Sequence, residues 1–100
     1  MKRRKIIGDS KRPRLAVFKS GKHIFAQVID DSKSVTLFSE SDIKIKSGTK
    51  SERAYNVGKN LALKALKNKI GSIVFDRGGF LYHGRIAQVA KGAREGGLKF

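Results

Sequence analysis

The sequence predicts a single α/β domain: a mixed four-stranded sheet with two main helices. Three observations predict it. Two stretches at residues 14–19 and 22–30 alternate in polarity, are rich in Val, Ile and Phe, and flank Ser20-Gly21, the pattern of a β-hairpin. From Thr49 onward apolar residues recur at helical spacing for about five turns. A short apolar run, Ile73-Val74-Phe75, then separates that helix from a second helical pattern. One hundred residues is near the commonest domain size, and no repeat, low-complexity tract or second domain is visible.

Residues 1–13 read as a basic, flexible binding arm and residues 14–100 as the folded domain. Up to the first strand residue, seven basic residues (Lys2, Arg3, Arg4, Lys5, Lys11, Arg12, Arg14) face one acid, Asp9, with only Ile6 and Ile7 to bury. A stretch so composed stays unstructured until a polyanion orders it. Pro13 biases Arg12 towards extended geometry and leads into the first strand.

If Lys19 pairs with Lys22 across a two-residue turn, Val17 faces Ile24 and Leu15 faces Ala26 on one side. Phe18 then faces His23, Ala16 faces Phe25 and Arg14 faces Gln27 on the other. A second turn at Asp31-Ser32 brings Val35 opposite Val28 and Leu37 opposite Ala26, while Phe38 meets Phe25 and Thr36 meets Gln27. Both turns agree on the core face, and a one-residue slip in either would scramble it. The opposite face carries Arg14, Phe18, His23, Phe25, Gln27, Thr36 and Phe38. Aromatic rings beside an imidazole, an amide and a guanidinium suit single-stranded nucleic acid. The alternative is that helices cover both faces, as they often do in α/β sheets.

Residues 40–50 are polar and read as a loop. Thr49-Lys50-Ser51-Glu52 fits a capping box, followed by the stripe Ala54, Val57, Gly58, Leu61, Ala62, Ala65, Leu66 and Ile70, with Gly71 ending the helix. A right-handed crossover then brings the fourth strand in parallel, beside either the first strand or the third. The segment Asp76-Arg77-Gly78-Gly79-Phe80-Leu81-Tyr82-His83-Gly84-Arg85 comes next. Its Gly-Gly pair permits a sharp turn and close approach to a partner. Its arginines, tyrosine and histidine suit phosphates and bases better than bond-breaking chemistry. The closing helix buries Ile86, Val89, Ala90 and Ala93, stops at Gly96-Gly97, and lets Leu98 and Phe100 tuck back.

Charge narrows the function. Lys and Arg number 23 against 8 Asp and Glu, a formal charge of +15. Self-repulsion at that level opposes compaction, so a polyanionic partner is implied. Nucleic acid leads, and an anionic membrane surface is the rival from another class. No cysteine is present, which removes disulfides and thiolate metal sites. Two histidines without spaced carboxylates make no metal site. Phosphate-loop and dinucleotide fingerprints are missing. Asp76 ends a strand, where catalytic carboxylates often sit, but it has no second carboxylate beside it and reads as a loop brace. We therefore expect no catalytic residue, cofactor, metal or small-molecule substrate. No apolar run nears the roughly 20 residues that span a bilayer, and the basic start lacks a signal peptide's apolar segment. A soluble, cytoplasmic protein is expected.

Three runs carry a resemblance: Arg12-Pro13-Arg14-Leu15-Ala16-Val17-Phe18-Lys19-Ser20 with His23-Ile24-Phe25-Ala26-Gln27-Val28-Ile29-Asp30-Asp31; Val74-Phe75-Asp76-Arg77-Gly78-Gly79-Phe80-Leu81-Tyr82-His83-Gly84-Arg85; and Ala93-Arg94-Glu95-Gly96-Gly97-Leu98-Lys99-Phe100. Together they resemble the bacterial large-subunit ribosomal protein family called L-eighteen, which binds 5S ribosomal RNA, over nearly the whole chain from about Lys5. The resemblance implies a small relative of the ribonuclease-H-like architecture, with strand order 3-2-1-4 and no catalytic acids. It implies attachment of 5S rRNA in the central protuberance, beside large-subunit rRNA and neighbouring ribosomal proteins. The family's basic arm, hairpin and Gly-Gly loop touch RNA. Here that points to Arg12, Arg14, Phe18, His23, Phe25, Gln27, Arg77, Gly78, Gly79, Tyr82, His83 and Arg85, joined by the basic residues Lys2, Arg3, Arg4, Lys11 and Lys22. In one departure, the amino-terminal arm is shorter than many members carry.

Overall fold

The structure, a computed structural model, describes residues 8–45, 47–76 and 84–100. Its elements are β1 (Arg14–Lys19), β2 (Ile24–Asp30), β3 (Val35–Ser41), α1 (Lys50–Lys67), β4 (Val74–Asp76) and α2 (Arg85–Glu95). The sheet order is β3-β2-β1-β4, with β1 antiparallel to β2 and parallel to β4. Of the two positions open to the fourth strand, the one beside β1 is occupied, and the amide of Val74 donates to the Pro13 carbonyl at 2.9 Å.

The first hairpin differs from the expected register by two residues. Phe18 pairs with Phe25 and Val17 with Ala26, because the turn takes in Ser20 through His23. Ser20 N–H donates to the His23 carbonyl at 2.8 Å, and the Ser20 hydroxyl accepts from His23 N–H at 3.2 Å. A shift of two keeps every side chain on its face. Leu15, Val17, Ile24, Ala26 and Val28 therefore all lie fully buried beneath the helices, as the alternation predicts.

The second hairpin carries a correction of larger effect. A bulge between Val28 and Ile29 lets Thr36 pair with Ile29 but sets Phe38 opposite Val28. An extra residue in one strand moves the residues beyond it to the other face. Phe38 thus joins Leu37 against the core instead of the outer face, and Val35 stands 46% exposed. β3 also runs on through Ser41, into the stretch read as loop.

Helix α1 begins as predicted, with the Thr49 hydroxyl accepting from Glu52 N–H at 3.1 Å. It ends three residues early, at Lys67 with Asn68 as cap. Ile70 N–H reaches Ala65 C=O and Lys69 N–H reaches Leu66 C=O, a Schellman motif that places Lys69 at φ 65°. The same motif closes α2 through Leu98 to Ala93 and Gly97 to Arg94, here with glycine at φ 114°. Leu98 is then buried, Phe100 stacks on Phe75 at 5.5 Å, and Lys99 bridges to Ser72.

The helices meet at glycine on both sides. A Cβ on Gly58 would lie 2.0 Å from the Val89 carbonyl, and one on Gly92 would lie 2.0 Å from the Tyr55 carbonyl. Backbone touches backbone there, and both helices share one core with the Leu15, Val17, Ile24, Ala26 and Val28 face of the sheet; among the described residues no helix lies over the other face.

Candidate nucleic-acid interface

The open face presents Phe18 and Phe25 as a cross-strand pair, 49% and 36% exposed. Their neighbour Gln27 is half-buried and pairs with the buried Ala16. Among the described residues no helix covers these two rings, which answers the alternative raised from sequence. They form an aromatic step on which flat bases can stack.

Cations gather at the turn beside that step. Lys50, the first residue of α1, donates from Nζ to the Gly21 carbonyl at 2.8 Å. Arg85, the first residue of α2, donates from Nη2 to the Ser20 carbonyl at 2.9 Å. Both helices therefore start against adjacent carbonyls of one turn, and the positive ends of both helix dipoles point to that end of the molecule. Lys22 lies exposed in the turn. His23 leaves it with Nδ1 3.0 Å from Oδ1 of the buried Asp42. Arg85 is half-buried, and its Nη1 has no hydrogen-bond partner among the described residues.

Arg14 sits at the opposite end of β1, five residues and about 17 Å from Lys19 along an ideal strand. Its fork is held by Asp31, Nε to Oδ2 at 3.0 Å and Nη2 to Oδ1 at 3.1 Å, while Nη1 bonds Asp76 Oδ2 at 3.0 Å. Asp31 first, and then Asp76, hold the guanidinium protonated above its usual range against partial burial. Asp76 is thus a brace, although across to Arg14. Lys11 and Arg12 lie exposed beside this end, on a turn where Asp9 Oδ1 accepts both their backbone N–H groups, at 2.9 and 2.8 Å. Gly8 is buried and donates to Asp31 at 2.8 Å.

The sequence-predicted residues fall into three sets. Phe18, Phe25 and Gln27 share the open face; Lys22, His23 and Arg85 share the turn; Lys11, Arg12 and Arg14 share the far end. Lys2, Arg3, Arg4, Arg77, Gly78, Gly79, Tyr82 and His83 lie outside the described residues. Sequence reasoning missed Lys50 and Asp42. The capping box marks Lys50 as a first helical residue, but nothing local says that the helix starts against the hairpin turn. Asp42 lies in a stretch read as loop.

This arrangement is that of a basic α/β domain with exposed rings and several cations on and beside one hairpin. The class becomes a family on comparison. Residues 2–100 match the family described as "Ribosomal L18 of archaea, bacteria, mitoch. and chloroplast". The chain is 54% identical over 98 residues to the large ribosomal subunit protein uL18 of Exiguobacterium sibiricum, covering 98% of this chain and 84% of that one. It is 53% identical to the uL18 proteins of Lactiplantibacillus plantarum and Clostridioides difficile, again across 98% of this chain and 85% of each relative. The chain belongs to this family: it is a structural protein of the large ribosomal subunit and not an enzyme.

Proposed function

We propose that this chain binds 5S ribosomal RNA and helps to attach it in the central protuberance of the large subunit. Family membership makes rRNA and neighbouring ribosomal proteins its partners. The observation supporting RNA contact at the hairpin is the exposed Phe18–Phe25 pair beside the turn that gathers Lys22, His23, Lys50 and Arg85. Bases stack on the rings, and the cations take the phosphates. Residues 1–13 serve as a basic arm and Arg77, Gly78, Gly79, Tyr82 and His83 as an RNA-contacting loop, both carried over from the family pattern. Arg14 organises the base of the arm through its carboxylates.

The test is discrimination. Binding to 5S rRNA should exceed binding to an unrelated folded RNA of equal length at the same salt by more than an order of magnitude, in the range separating specific from non-specific complexes. Equal affinity for both would leave only a polyanion-binding module.

A further inference from the structure

We propose that Asp42 is a positioning residue for RNA contact by His23: it holds the imidazole by Nδ1 and so makes Nε2 the atom offered to the RNA. The inference rests on the RNA-binding reading of the hairpin. Asp42 sits just past β3 and is 1% exposed, with its side chain fully buried. Its Oδ1 lies 3.0 Å from His23 Nδ1 and accepts the backbone N–H of Ile24 at 3.2 Å. Its own N–H donates to the Ile24 carbonyl at 3.2 Å. One acid at the end of β3 thereby grips both backbone and ring at the start of β2.

A carboxylate can only accept, so the hydrogen in the ring contact belongs to Nδ1. A neutral ring then carries its lone pair on Nε2, and a charged ring carries a second N–H there. In either state Nε2 is the nitrogen left for a partner, on a side chain 39% open to solvent. A bond through the second ring nitrogen is the usual way in which proteins fix a histidine's tautomer and orientation.

Fold stability alone does not call for an acid at this position. Asparagine would accept the Ile24 N–H without burying a charge. Asp42 also leaves Oδ2 buried with no partner among the described residues. An unsatisfied buried carboxylate oxygen works against folding, so this side chain is better explained by what its Oδ1 grips, the Ile24 N–H and the His23 ring together, than by packing. Orientation matters at this point because the ring stands at the end of the turn shared by Lys50 and Arg85, next to Phe25.

Nitrogen-15 NMR of the His23 ring in the free protein tests the first half. The native protein should show Nδ1 carrying hydrogen, D42N should keep it through the amide oxygen, and D42A should populate both tautomers. Titration with 5S rRNA tests the second half. H23A and D42A should each weaken binding roughly three- to tenfold, the worth of one hydrogen bond. The double variant should be no weaker than H23A alone, and D42N should retain most of the native affinity. If D42A does not fold, Asp42→Ser replaces it, since its shorter hydroxyl can serve Ile24 but not the ring. An Nδ1 without hydrogen in the native protein, or additive losses in the double variant, would overturn the proposal. Should F25A and R85A weaken binding while H23A does not, this inference alone fails. Should all three leave affinity unchanged, the RNA-binding reading of the hairpin fails with it.

Discussion

Lys69 holds a backbone conformation that lysine ordinarily avoids. It occupies the left-handed position of the Schellman motif closing α1, where Gly97 serves the same motif in α2. A side chain there costs about 1–2 kcal/mol that glycine does not. Glycine also loses more backbone freedom on folding, so Lys69→Gly should raise stability by about 0.5–1 kcal/mol in urea denaturation. No gain would mean that the Lys69 side chain makes a compensating contact. Asp9 offers a second check. The amides of Arg12 and then Lys11 hold its carboxylate below the ordinary aspartate range. A lowered folded value means that the turn's stabilisation is present above that range and fades as pH falls through the lowered value. The amide shifts of Lys11 and Arg12 should therefore titrate together, with a midpoint below the ~3.9 usual for aspartate; a midpoint at or above it would break the assignment. Neither residue can be placed from sequence alone. Gly71 looks like the natural helix stop, and Asp9 is one acid among seven bases.

At the scale of elements, alternation in the first two strands was legible because a sheet has two faces and only one can be apolar. The two-residue register error was harmless for that same reason. The bulge in β3 could not be read: its cause is Leu37 and Phe38 both packing on the core, a tertiary contact that overrides simple alternation. Helix stripes were legible, but the crossing was not, since Gly58 and Gly92 look like ordinary weak helix positions until another backbone lies against them. Gly58→Ala and Gly92→Ala should each cost about 1–3 kcal/mol or more through overpacking, although alanine is the better helix former. A neutral result for either would show that the helices separate at no cost. The two faces of β2 predict a contrast. Ile24→Ala should cost about 2–5 kcal/mol of stability by opening a core cavity. Phe25→Ala, on the open face, should cost little stability but about 1–3 kcal/mol of RNA binding. Equal destabilisation of the free protein by both would place Phe25 in the core and remove the stacking platform.

Charge acts at the scale of the whole molecule. The domain stays compact with +15 because many of its cations stand on the surface, while Arg14 and Lys64 are matched locally by Asp31, Asp76 and Glu40. RNA phosphates brought against the exposed cations would release condensed counterions in proportion to their number. With roughly 6–10 phosphates neutralised, affinity for 5S rRNA should fall about 10³- to 10⁵-fold between 50 and 200 mM salt. The arm can then be weighed against the body. Removing residues 1–7 takes away Lys2, Arg3, Arg4 and Lys5, and should shallow the log–log salt slope by about 0.9 for each phosphate no longer neutralised. The melting temperature should barely change, because the hydrogen bond from Gly8 to Asp31 and the Asp9 turn remain. Removing residues 1–12 also strips that turn and the Gly8 hydrogen bond from the Arg14–Asp31 pair. That longer truncation should lower the melting temperature as well, by about 4–8 °C for each kcal/mol of stability removed from a domain of this size. Were the shorter truncation to lower the melting temperature while leaving the salt slope untouched, residues 1–7 would be part of the fold and not an RNA-binding arm.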